Sequence, residues 1–134
     1  FWPRPPIEHR DFLDAVKSRG KPAYHVEAGH RLSHVRRCSD FAAGRLDRFP
    51  TWAESAERSS PPAMEALMAA VREHGLEAGL RRFRNREMLR IVWRDLRGLA
   101  SLGNTFRDLT GLAEACLQAA LDALAAAASA AKMP

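Results

Sequence analysis

Apolar residues recur at helical spacing in every strongly patterned part of this chain. From His30 through Arg48, and on to Phe49, the residues Leu32, Val35, Ala42, Leu46 and Phe49 fall on one face of a helix. Pro50 ends that element, and a proline also suits the first turn of a new one, so Trp52 to Arg58 is expected to form a short helix after a bend. Met64, Leu67, Met68 and Val71 mark a further amphipathic helix, which stops near Gly75. Leu76 to Leu99 contains no proline and is rich in strong helix formers, so the spacing predicts a long central helix over 76–99. Thr105 with Asp108 three residues later resembles a capping box and opens a final helix over 105–131, with Phe106, Leu109, Ala113, Cys116, Ala120 and Ala123 as its seam.

No strand pattern and no internal repeat emerges. Short turns between long amphipathic segments favour antiparallel neighbours, so the expected fold is all-α, an irregular bundle of about five or six helices. Residues 1–29 stand apart from the helical unit over 30–134. Phe1 to Pro6 holds three prolines and reads as a loop, and Glu8 to Arg19 is a short helical stretch anchored by Phe12, Leu13 and Val16. Ser59, Ser60, Pro61 and Pro62 form the clearest linker.

Composition narrows the function classes. At 134 residues, 46% apolar and 28% charged, the chain fits one folded domain and is too apolar for general disorder. Its net charge is +5, and 18 of its 21 basic residues are Arg. Guanidinium groups grip oxyanions, but they also pair with carboxylates along helix surfaces. The bases are spread along the chain with no nucleic-acid motif, which argues against a nucleic-acid partner. Cys38 and Cys116 lack zinc or redox spacing and suit a reducing cytoplasm. No apolar run follows a basic start, and Glu114 and Asp122 interrupt the Ala-rich end, so neither a signal peptide nor a membrane span is expected. A start at Phe1 and a stop inside a helical pattern suggest a piece of something longer.

Candidate chemistry is sparse. His30, His34 and Cys38 stack at four-residue steps, but Arg31, Arg36 and Arg37 crowd them with positive charge, and no metal site is expected there. In the long helix, Arg84, Glu87 and Asp95 point within the apolar stripe around Ile91, where charges need partners. They form a candidate structural or docking network, with Arg84 and Glu87 close enough to touch. Trp93 lies nearly opposite Ile91, where a large aromatic marks a second packing surface or, with Arg90 and Arg94, a candidate interface.

The run L-R-R-F-R-N-R-E-M-L-R-I-V-W-R-D-L from Leu80 to Leu96, followed by T-F-R-D-L-T-G-L-A-E-A-C-L-Q-A-A-L from Thr105 to Leu121, resembles the helical region before the first nucleotidyltransferase core of the glutamine synthetase adenylyltransferase family. S-D-F from Ser39 and F-P-T-W from Phe49 are similar to the same family's early helix, proline and tryptophan pattern. The resemblance implies a regulator of nitrogen assimilation that attaches AMP from ATP to a tyrosine of glutamine synthetase and removes it by phosphorolysis, using Mg²⁺ and ATP or ADP. Its implied partners are the remainder of the parent enzyme, glutamine synthetase and the PII signal protein.

In that family a Gly-rich turn leads to an Asp-x-Asp pair that holds the metal. None of the 16 acidic residues here has another acid two positions away, so no catalytic residue and no cofactor site is expected within the chain itself. The resulting expectation is a helical scaffold without a complete active site. Two other readings stand beside it: a free-standing adaptor using Arg81, Arg82, Arg86 and Arg90 against an acidic partner or nucleic acid, and a relic of a degenerate gene.

Overall fold

A computed structural model describes residues 26–57 and 64–132. The expectations for Phe1 to Pro6, Glu8 to Arg19 and Ser59 to Pro62 lie outside the described residues. Among those described, six helices and no strand are present: α1 (Val26–Cys38), α2 (Asp40–Arg48), α3 (Trp52–Ala56), α4 (Met64–His74), α5 (Leu76–Leu96) and α6 (Leu102–Ala131). The all-α bundle with a long central and a long final helix is therefore the observed fold.

The boundaries follow local chemistry. The single helix expected from His30 to Arg48 is two helices, because Ser39 adopts an extended backbone and its hydroxyl accepts the Ala42 N–H at 3.2 Å, capping α2. The apolar stripe survives the break, since Val35, Ala42 and Leu46 are all buried in one cluster. After Pro50, the Phe49 ring stacks on Trp52 with centroids 4.1 Å apart, and the Arg82 guanidinium of α5 lies over both rings. That stack fixes the bend leading into α3.

The central helix ends at Leu96 rather than Leu99. Gly98 takes a left-handed φ of 64°, so that the Leu99 N–H returns to the Arg94 carbonyl at 2.8 Å and the Gly98 N–H to Asp95 at 3.0 Å, a glycine-closed C-terminus. The final helix starts three residues earlier than its sequence signal suggested. Ser101, not Thr105, is the cap, its hydroxyl accepting the Asn104 N–H. The Thr105 hydroxyl instead lies 3.1 Å from an Asp95 carboxylate oxygen, and Asp108 is engaged elsewhere.

α5 touches all five other helices. On one side Leu89 and Trp93 pack with Val35, Ala42, Leu46, Trp52 and Ala56. On another, Phe83 and Ile91 pack with Leu67 of α4 and with Leu112 and Ala119 of α6. Its close approach to α4 depends on Gly79, where an added Cβ would stand 2.6 Å from both the Ala70 carbonyl oxygen and the Val71 Cα. Gly111 in α6 has open space around it. Gly79→Ala should therefore cost about 1–3 kcal/mol by forcing two backbones apart, whereas Gly111→Ala should stabilise by about 0.5–1 kcal/mol through helix propensity. Denaturant midpoints at equal slope measure both, and a neutral Gly79→Ala would disprove the tight α4–α5 contact.

Candidate functional site

The most concentrated chemistry lies between α5 and α6. Arg90 is only 4% exposed, and its Nε donates to Glu87 Oε2 at 2.8 Å while its Nη2 donates to Asp108 Oδ2 at 3.0 Å. Glu87 sits one helical turn before Arg90 on the same face, and Asp108 comes from the second turn of α6, so one guanidinium joins the two long helices. The third nitrogen, Nη1, is buried without a hydrogen-bond partner. Beside this tie runs a cleft of about 480 Å³ whose lining includes Phe83, Arg94, Asn104, Arg107 and Leu112.

Burial raises the Glu87 carboxyl above its ordinary value, an effect larger than the opposing hydrogen bond and charge of Arg90. The pair is thus held by the fold against a desolvation cost. Both acids in the cleft wall face the same cation, which leaves them poorly suited to hold a metal ion. Among the described residues no group of three His, Cys, Asp or Glu side chains is placed to bind a metal. The magnesium ion implied by the family resemblance thus does not fit the two acids assembled here. The His30, His34 and Cys38 stretch lines a shallow surface depression, with His34 3.3 Å from the Leu96 carbonyl oxygen and about 4 Å from the Cys38 sulfur.

The sequence-derived network is only partly assembled. Glu87 is buried, but its partner is Arg90, not Arg84; Arg84 is exposed. Asp95 is exposed too and meets Thr105 instead of Glu87. The reason is geometric: at ~100° per residue, Arg84 and Asp95 share a narrow open strip of α5 with Glu77 and Arg81, which pair at 2.7 Å. Arg82 and Arg86, on another side of the helix, are exposed as well.

Trp93 lies in a second packing surface opposite Ile91, 3% exposed with its indole N–H unpaired, and Arg90, a candidate interface residue, is buried in the core. Arg94 is half-buried and donates to the Glu57 and Leu99 carbonyls, joining the end of α3 to the turn after α5. Asp108 was missed as a network member. Its place three residues after Thr105 suggested a cap, and the signal that separates the two roles is the serine at position 101 offering a better one.

Two outcomes test the tie. Glu87→Ala leaves a buried guanidinium with Asp108 alone, and breaking buried pairs of this kind costs ~3–5 kcal/mol; the remaining carboxylate places the expected loss near the lower bound. Glu77→Ala, which removes an exposed pair, should cost ~0–1 kcal/mol. Equal midpoints would dismiss the buried network. The second outcome concerns pH. Because the folded carboxyl of Glu87 is raised above 4.5, the folded state holds its proton more tightly, and Glu87 favours folding most at or below that pH. As pH climbs through the raised value this contribution is lost. Glu87→Gln keeps an acceptor for Arg90 and does not titrate, so its stability relative to the parent should improve from pH ~4.5 towards neutrality. The opposite slope would mean that Arg90 dominates burial at this carboxylate.

Residues 30–134 match the family described as glutamate-ammonia ligase adenylyltransferase. Among curated relatives, a bifunctional glutamine synthetase adenylyltransferase/adenylyl-removing enzyme of Pseudomonas aeruginosa is 36% identical over 122 residues, covering 82% of this chain and 12% of its own length. The protein of the same description from Shewanella loihica is 40% identical over 106 residues, covering 72% of this chain and 11% of its own. That of Nitrosococcus oceani reaches 69% over 45 residues, or 34% of this chain and 5% of its own. The chain thus spans about a tenth or less of these relatives' length. No solved structure matches it. With the family's pattern running from His30 to the last residue over the helices that carry the Glu87–Arg90–Asp108 tie, the chain belongs to the glutamate-ammonia ligase adenylyltransferase family.

Proposed function

We propose that this chain is a helical scaffold segment of a bifunctional enzyme that adenylylates and deadenylylates glutamine synthetase in the control of nitrogen assimilation. The observation that carries the reading is the match of α1 to α6 to one stretch of such enzymes, over a region whose buried acids, Glu87 and Asp108, are held by Arg90. In this reading Mg²⁺ and ATP or ADP bind elsewhere in the longer polypeptide, and the segment positions a catalytic core. Glutamine synthetase, the PII signal protein and the remainder of the polypeptide are its partners, in the cytoplasm.

The rigid tie between α5 and α6 supports a positioning role, because a scaffold transmits geometry only if its long helices keep their register. The experiment supplies adenylylated glutamine synthetase, phosphate and Mg²⁺ to the purified chain and to the longer polypeptide containing it. The chain alone should release no ADP, and the longer polypeptide should release it readily. ADP release by the 134-residue chain would overturn the scaffold reading. An inactive longer polypeptide, together with salt-sensitive capture of the chain on nonspecific DNA, would favour the adaptor instead.

A further inference from the structure

α6 carries apolar residues on two sides, and only one side is covered. Leu112 and Ala119 are buried against α5, with Leu109, Ala115 and Cys116 beside them. On the other side Leu102, Phe106, Leu117, Leu121 and Leu124 remain 59–67% exposed. Phe106, Ala113, Leu117, Ala120 and Leu124 succeed one another at steps of seven, four, three and four, the spacing of a helix-packing seam. Ala113, Ala120 and Ala127 recur every seven residues with Leu117 and Leu124 between them, so small and large positions alternate along the face. Alternation of this kind accepts a second helix closely, with its large side chains set over the alanines.

Three occupants differ in what they require. Lipid would receive Glu114 and Asp122 on the neighbouring side of the same helix, although by length and composition alone α6 could cross a membrane. A second copy would be held only at the concentration of the free chain. Five large side chains at ~60–120 Å² of apolar surface each, when fully covered, give roughly 300–600 Å², similar to the ~450 Å² apolar share of a standard interface's ~800 Å² per partner. A helix on the same polypeptide has the further advantage of a tether, which raises its effective concentration towards the ~mM range. The relatives are also far longer, this chain covering only 11% and 12% of two of them.

We propose that the exposed face of α6 seats an amphipathic helix from another part of the same, longer polypeptide, its aliphatic side chains packing over Ala113, Ala120 and Ala127. The proposal rests on the scaffold reading. Its test is thiol labelling at Leu121→Cys in a background carrying Cys38→Ser and Cys116→Ser, read at that peptide by mass spectrometry. Labelling should be at least ~10-fold slower in the longer polypeptide than in the 134-residue chain, the factor expected if the seat is closed about nine-tenths of the time or more. Equal rates would overturn the seat. So would protection of the 134-residue chain that grows with its own concentration alongside a doubled mass, which assigns the face to a second copy, or protection that needs added phospholipid vesicles. Activity of the longer polypeptide tests the scaffold reading separately, since the labelling comparison holds whether or not that polypeptide turns over.

Discussion

A helix with apolar side chains around most of its circumference must be covered on most sides, and α5 imposes that demand on the rest of the bundle. Leu89 and Trp93 face one cluster while Phe83 and Ile91 face another. The short helices α1 to α3 have little apolar surface of their own and gain a core by closing one flank of α5, with Trp52 and Leu46 as the largest contributions. α4 and α6 cover the second flank, α4 approaching so closely that no side chain fits at Gly79. Without its neighbours α5 would expose surface on every side; without α5 the neighbours would have almost nothing to pack against.

The Arg90 tie lies inside this arrangement and does different work. Apolar packing is tolerant of small slides along a helix axis, whereas a guanidinium gripping Glu87 and Asp108 through separate nitrogens is not. The raised Glu87 carboxyl shows that burial outweighs the pairing at this group, so the tie is a costly way to gain stability. Fixing the register of α6 on α5 is the role that its geometry fits. The same register decides which side of α6 stays open.

Much of this was legible in the sequence. Proline and glycine punctuation located the helices, and a proline-free run of strong helix formers marked the long central one, because those signals are local. The side of α5 opposite Ile91 was legible as a second packing surface, and Trp93 is buried there. What failed was the grouping of Arg84 and Asp95 with Glu87, because which positions around Ile91 stay open is set by where the neighbouring helices stop, and that is tertiary information. The Glu87–Arg90 pair was available as an i, i+3 spacing and lost to Arg84–Glu87 at the same spacing; only the arrival of Asp108 from α6 distinguishes them. Thr105 failed as a cap for a simpler reason, since Ser101 performs that role one turn earlier.

The arginine excess bears on which functional reading is preferable. An adaptor that grips an acidic partner needs guanidinium groups free on a surface, and Arg81, Arg82, Arg86 and Arg90 were the group on which that reading relied. Arg81 is paired with Glu77, Arg82 lies over the Phe49 and Trp52 rings, and Arg90 is buried between two carboxylates. Elsewhere Arg36 meets Asp47, Arg31 meets Glu57, and Arg94 holds two carbonyls. Arg31, Arg36, Arg82, Arg90 and Arg94 each join one helix to another or to its end. Net charge would steer a phosphate-bearing partner only through groups still available to it, and the fold has already engaged three of the four that the adaptor required, which leaves the scaffold as the reading its electrostatics support.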